Sequence, residues 1–321
     1  MKQGVNPENM SSPLSKITPS ALVVGYGSIG KRHVEILQKQ GVDVAVFSRR
    51  TLSISGSFDD LSTALKINKP SYIVVANRTG EHLETLQELD RLQYKGKFLV
   101  EKPLFSDQQV YIPKSPEKIR VAYNLRYHPL IQRLRTALIG QKICTFQVYV
   151  GQYLPDWRPD TDYRKSYSAD KNAGGGALLD LSHDIDYTTW ILGGWERVAA
   201  QGGRVSDLEI TSDDTFSLML ETPRCAHVLV HMNYLDRSSR REILVNTTTQ
   251  TLKVDLVNGT FQIDNDQEYS TIERNETYTA MHEDMQTSAP EYACTYEQGM
   301  DLINLIAAAR TAADKKIWIP K

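Results

Sequence analysis

Apolar residues fall into two rhythms along this chain. In the first third, short apolar runs alternate with stretches whose apolar positions recur at helical spacing. Ala21-Leu22-Val23-Val24 reads as a buried strand and Lys31 to Gln40 as the helix after it. Val42 to Phe47 follows as a second strand, then a helix carrying Leu61, Ala64 and Leu65, then Tyr72 to Ala76 as a third strand. A helix from Glu81 to Leu92, a fourth strand Lys97 to Val100 and a fifth, Ile119 to Tyr123, close the series. Strands and helices that take turns in this way imply βαβ units and a parallel sheet covered on both faces.

Beyond Asn124 the rhythm shortens. A helix from about Leu130 to Leu138 stops at Gly140, and Thr145 to Val150 alternates with period two. Phe216, Leu218 and Leu220 alternate with their neighbours. So do Val228 and Val230, then Leu252, Val254 and Leu256, then Phe261 and Ile263. Successive strands without long helices between them imply an antiparallel sheet with one buried face. A last helix, about Tyr296 to Ala313, shows Met300, Ile303, Ala307 and Ala308 on one side, as packing requires. The pattern predicts an α/β chain. It comprises a polar tail (1–17), a Rossmann-type dinucleotide-binding domain with a parallel sheet (18–124), and an α+β domain with a mainly antiparallel sheet for substrate binding and oligomerisation (125–321).

Candidate chemistry sits where these elements end. Gly25-Tyr26-Gly27-Ser28-Ile29-Gly30 lies between a predicted strand and a predicted helix, the context that gives a Gly-x-Gly-x-x-Gly its meaning. The first glycine makes the turn, the second lets backbone approach a pyrophosphate, and the third lets helix and strand pack closely. The anion would rest on the helix N-terminus. The second strand ends in Ser48-Arg49-Arg50, where an acid would favour NAD. Two guanidinium groups and a hydroxyl suit a 2′-phosphate, so NADP is favoured over NAD. The expected cofactor-binding set is Gly25, Gly27, Ser28, Ile29, Gly30, Ser48, Arg49, Arg50, Asn77, Glu101 and Lys102.

The fourth strand ends in Glu101-Lys102-Pro103, and carboxyl ends of parallel strands are where ligands bind, so Lys102 is placed to reach a substrate. Gly174-Gly175-Gly176 leads into a helix whose first turns carry Asp180 and His183, three residues apart. At that spacing a carboxylate and an imidazole can face one pocket and share a proton. The plainer reading is a glycine-started structural helix. The loop Tyr153 to Tyr167, with Trp157, Asp162, Tyr163, Arg164 and Lys165, has the residue types that stack on and bond a sugar, and equally those of a structural lid.

Composition narrows the picture. The 321 residues are enough for two domains. A net charge of −2, with acids and bases interspersed, gives no field for nucleic acid or an anionic membrane. Cys144, Cys225 and Cys294 are far apart and lack Cys-x-x-Cys spacing, which reads as reduced thiols in a cytoplasmic protein with no metal site. Lys2 is not followed by an apolar core, so no signal peptide is expected, and no apolar run would span a bilayer.

Three motifs, in order, carry a family resemblance: Gly25-x-Gly27-x-x-Gly30-x-x-His33, Glu101-Lys102-Pro103, and Gly174 to Asp186. Over residues 20 to 321 the chain resembles the Gfo/Idh/MocA family of NAD(P)-dependent oxidoreductases, which act mostly on sugars, polyols and nucleotide-linked sugars. The resemblance implies Lys102, Asp180 and His183 as the catalytic group. It implies hydride transfer between nicotinamide and a sugar carbon. The open antiparallel sheet presents a broad face, which suggests a homodimer or homotetramer. The chain departs from the family in its Asp–His spacing of three rather than four, in the proline-bearing stretch from Phe105 to Lys118, and in the missing strand-two acid. Two other readings are a catalytically silent dinucleotide-binding regulator and an amino-acid-pathway dehydrogenase of similar architecture.

Overall fold

The computed structural model describes residues 19–108 and 111–321; the expected tail lies outside them. Six short parallel strands build the first sheet: β1 (Ser20–Val24), β2 (Asp43–Phe47), β3 (Ser57–Phe58), β4 (Tyr72–Val75), β5 (Lys97–Val100) and β6 (Ile119–Val121). Their spatial order is β3-β2-β1-β4-β5-β6, the doubly wound order in which the direction of winding reverses between β1 and β4. Ala21 to Val24 and Tyr72 to Val75 are almost wholly buried, because helices cover both faces and leave no polar side to the strands. The helices are α1 (Ser28–Lys39), α2 (Leu61–Asn68) and α3 (His82–Arg91).

After α4 (Pro129–Ala137) the chain forms a nine-stranded sheet. Its members are β7 (Ile143–Gly151), β8 (Arg197–Gly203), β9 (Thr215–Thr222), β10 (Cys225–Asn233), β11 (Arg240–Thr247), β12 (Thr251–Asp255), β13 (Thr260–Ile263), β14 (Asp266–Tyr269) and β16 (Ile319–Pro320). Every neighbouring pair is antiparallel except β7 with β10. One face carries Phe146, Val148, Leu218, Leu220, Val228, Val230 and Ile243 in the core. The other bears half-exposed Met219 and Leu229, cross-strand partners. The α/β architecture with two sheets of different kinds is the one the hydrophobic pattern predicts.

Between the sheets lie α5 (Ala177–Asp180) and α6 (Ser182–Leu192). The sequence predicts one helix here. Two form because Leu181 turns away from helical backbone (φ −94°, ψ 16°), so the predicted stack of Asp180 on His183 is broken at the residue after Asp180. The segment begins at Gly176 (φ +126°), in a region open to glycine, while the Asp213 side chain accepts from Leu178 N at 2.9 Å.

Two further elements return to the first sheet. Helix α7 (Glu276–Gln286) packs on α1, and β15 (Cys294–Thr295) adds antiparallel to the β6 edge before α8 (Tyr296–Lys315) runs back across β6 and β8. A boundary at residue 124 therefore divides the parallel strands from the second sheet, but β15 crosses it to join the first sheet and α7 crosses it to pack there. Helix α7 was not legible in the sequence because its buried face includes Thr277 and His282 beside Tyr278, Met281 and Met285. Among the described residues no helix is long and apolar enough to cross a membrane.

Candidate active site

The loop from β1 to α1 opens at the reversal point of the first sheet, beside Asn77 at the end of β4. Gly27 caps α1 without any side-chain cap, so the first N–H groups of a twelve-residue helix face outward. A Cβ on Gly27 would meet nothing within 4 Å, whereas one on Gly30 would sit 2.1 Å from Gly25 O. This is a cradle with room above and none below, and the buried Asn77 Oδ1 at its rim has no protein partner. The residues fit a dinucleotide pyrophosphate. Gly30→Ala is expected to cost about 1–3 kcal/mol through overpacking. Chemical denaturation checks this, and unchanged stability would contradict the close approach.

Ser28 and Ile29 form the first turn of α1, at the mouth of the cradle. Ser48 is buried and its Oγ accepts from Arg50 N at 3.1 Å, while Arg50 Nη2 donates to Tyr26 O at 3.1 Å. Arg50 thus lies against the glycine loop. Arg49 leans outward, 3.4 Å from exposed Glu84.

Glu101 turns inward. Its Oε2 accepts from Lys102 N at 3.1 Å and its Oε1 pairs with His33 Nε2 at 2.8 Å. A carboxylate only accepts, so His33 Nε2 carries a hydrogen and His33 Nδ1 accepts in turn from His282 Nε2 at 2.8 Å. His282 Nδ1 then accepts from the Tyr72 hydroxyl at 3.0 Å. The donors of this buried chain all point towards Glu101, and burial, then His33, hold His282 well below the usual imidazole range. Glu101, expected to touch the cofactor, has its bonds inside the protein, where they fix the backbone of Lys102. His282, on the unexpected helix, is a member the sequence reading missed.

Lys102 Nζ donates to the backbone O of Asp180 at 2.7 Å. The Asp180 carboxylate accepts from Tyr234 at 2.6 Å, and no bond joins it to His183 among the described residues. The helix break explains why: Asp180 ends one helix and His183 rides on the next. His183 instead meets the edge of Tyr123, ring centroids 5.5 Å apart, and its buried Nδ1 has no protein partner. Burial, then the charges of Lys102 and Arg241, push its imidazole well below the usual range, which favours the neutral form. Burial likewise lowers Lys102, partly offset by Asp180 and Glu101. Trp157, from the aromatic loop, packs against Tyr234 with centroids 5.1 Å apart and also leaves its buried Nε1 unpartnered. The structure thus brings Lys102, Asp180, His183 and Trp157 to the strand ends beside the cradle.

Two more acids of α6 tie it in place. Asp186 holds Arg126 through three bonds of 2.7–3.2 Å, and Asp184 holds Arg241 Nη2 at 2.9 Å. Arg241 escaped the sequence reading, though one signal was available: it occupies an inner-face position of β11 in line with Ile243 and Val245.

A family model described as the GFO/IDH/MocA C-terminal domain matches residues 131–253. Residues 131–253 thus resemble the C-terminal domain of the Gfo/Idh/MocA family. The YteT protein of Bacillus subtilis (strain 168) is 25% identical over 144 residues, 43% of this chain and 32% of its own length. The chain's match therefore spans about a third of that relative. Solved structures share the whole fold. GenD2 from gentamicin A biosynthesis, in complex with NAD, is 19% identical with a TM-score of 0.75, covering 99% of each chain. Levoglucosan dehydrogenase, in complex with NADH, is 15% identical with a TM-score of 0.78 over 94% of this chain and 99% of its own. The WlbA dehydrogenase from Bordetella pertussis, with NADH and UDP-GlcNAcA, is 18% identical with a TM-score of 0.74 over 96% and 99%. At these identities the likeness concerns the fold alone. The family match covers β7 to β11 and α5–α6, while β13, β14, β16 and the glycine loop lie outside it.

Proposed function

We propose that this chain is an NAD(P)-dependent dehydrogenase or reductase of the Gfo/Idh/MocA type that moves a hydride at a CH–OH carbon of a sugar or nucleotide-sugar substrate. The observation that carries the reading is a neutral, unpartnered His183 within the field of Lys102, beside a glycine cradle. A bound nicotinamide dinucleotide would supply the hydride acceptor or donor. His183 takes the substrate hydroxyl proton at Nδ1 as the carbonyl forms. Lys102, anchored by Asp180 O and aimed by the Glu101–His33 pair, holds the reacting oxygen and stabilises negative charge on it. Asp180 acts through its carbonyl on Lys102 and through its carboxylate on Tyr234. A panel of sugars, nucleotide sugars and amino-acid semialdehydes, followed by nicotinamide absorbance, tests the reaction class. Turnover of semialdehydes alone, or of nothing, would overturn it.

Among cofactors we favour NADP. The three solved structures named above are complexes with NAD or NADH. In this chain Arg50 at the cradle, exposed Arg49 and the missing acid after β2 favour a 2′-phosphate. Calorimetric titration is expected to show tighter binding of NADP than of NAD. Arg49→Ala/Arg50→Ala should weaken NADP about ten-fold or more and leave NAD nearly unchanged. Equal loss for both cofactors would refute the preference. The open face with Met219 and Leu229 supports a homodimer or homotetramer, and the free Cys144, Cys225 and Cys294 support a cytoplasmic setting.

A further inference from the structure

Arg241 is out of place in its strand. It lies opposite Val150 on β7 and in line with Ile243 and Val245, on the face where the nine-stranded sheet packs its core. The Arg241 side chain is only a quarter exposed there, so its guanidinium loses part of its hydration where an apolar residue would lose none. Part of this is offset by Asp184, which is fully buried and receives Arg241 Nη2 at 2.9 Å and the Tyr187 hydroxyl at 2.7 Å. Both oxygens of Asp184 are thus used. Arg241 is not satisfied in return: its Nε is buried without a protein partner, and among the described residues only Nη2 is bonded. A buried N–H of a cation left unmatched calls for an acceptor from outside the chain.

The other groups around it indicate which acceptor. His183 Nδ1 and Trp157 Nε1 are the further unpartnered polar atoms of this site, and Trp157 Nε1 is a donor only. His183 feels the positive charge of Arg241, whereas at Lys102 the charges of Arg241 and Asp184 act in opposite directions, so the field of Arg241 is felt on the His183 side. A sugar hydroxyl needs no such field. A carboxylate does, since guanidinium matches it in both charge and planar shape. A phosphate dianion would need more donors than Arg241 and Trp157 supply.

We propose that Arg241 is a specificity-determining residue that receives a carboxylate of the substrate, close to the carbon served by Lys102 and His183, so that the substrate class is a sugar acid or an acidic sugar derivative. This rests on the dehydrogenase reading above and narrows it.

The test separates the two. NADH and NADPH binding to the purified protein is measured first by fluorescence, without sugar. The cofactor-loaded protein is then titrated calorimetrically with paired ligands: gluconate and sorbitol, glucuronate and glucose, galactarate and galactitol. At least one acid should bind about 10- to 100-fold more tightly than its neutral partner. Arg241→Met combined with Asp184→Asn removes both charges and avoids a buried unpaired acid. In that variant the acid-to-neutral ratio should fall to within about two-fold of unity. Arg241→Lys, which keeps the charge but loses the planar donors, should lie between. Cofactor affinity serves as the folding control in each variant. If acids bind no better than neutral partners, if none binds at all, or if the double variant keeps the ratio, the assignment of Arg241 is wrong. In those cases the dehydrogenase reading still stands on cofactor binding and turnover, whereas a protein that binds neither dinucleotide loses both.

Discussion

Lys102→Met and His183→Asn are each expected to lower turnover about 10²- to 10⁴-fold while cofactor affinity stays within about two-fold. The chemistry asks different things of the two residues. Lys102 must present a positive Nζ to an oxygen that gains charge, and its bond to Asp180 O holds that group in place. Met fills similar space and carries no charge, so binding survives and the chemical step suffers. His183 must be neutral to accept a proton, and its environment enforces this, since burial first, then Lys102 and Arg241, depress its pKa. The sign follows directly. A depressed imidazole stays in its base form below the ordinary value of about 6.5, so the acid limb of kcat/KM should lie below that pH. His183→Asn should remove this limb along with the rate. Stopped-flow measurement of nicotinamide absorbance gives the chemical step, and fluorescence titration gives the affinity. Near-normal rates in both variants would remove these residues from the mechanism.

Arg126→Met is expected to destabilise the protein by about 3–5 kcal/mol. Arg126 is 2% exposed, with its Nε and Nη2 forked onto Asp186 and its Nη1 2.7 Å from Gln298 Oε1. Burial opposes both charges, but Asp186 more than offsets it for Arg126, which stays ionised. Removing the arginine leaves Asp186 as an uncompensated buried charge at the centre of α6. Arg126→Met with Asp186→Leu removes both charges and should recover most of the loss. Urea denaturation of the single and double variants measures the difference. Equal destabilisation in both would mean that packing against Trp190, and not the charge pair, is what Arg126 supplies.

The parallel sheet was legible because strands buried on both faces write themselves as unbroken apolar runs, as Val23-Val24 and Ile73-Val74-Val75 do. The glycine cradle was legible because close approach at Gly30 tolerates no side chain. Lys102 and His183 were legible as residue types at element ends. Their partners were not, since partnership is set by tertiary packing. Glu101 looked like a cofactor ligand until the position of His33 and His282 was known. Asp180 looked like the partner of His183 because helical spacing assumes an unbroken helix, and nothing in Leu181 announces the break. Helix α7 hid because its buried face is partly polar, and Arg241 hid because its strand opens with two arginines and a glutamate.

The return of α7 and β15 to the first sheet bears on the order in which the molecule can be completed. As the chain leaves the ribosome, β1 to β6 emerge early, yet the edge of β6 and the outer face of α1 stay uncovered until residues 276 to 295 arrive. Until then His33 lacks its second hydrogen-bond partner and the Tyr72 hydroxyl has none from His282. The nascent parallel-sheet half is thus an open-edged, underbonded intermediate, and its consolidation is a late, long-range step that brings α7 and β15 back onto it.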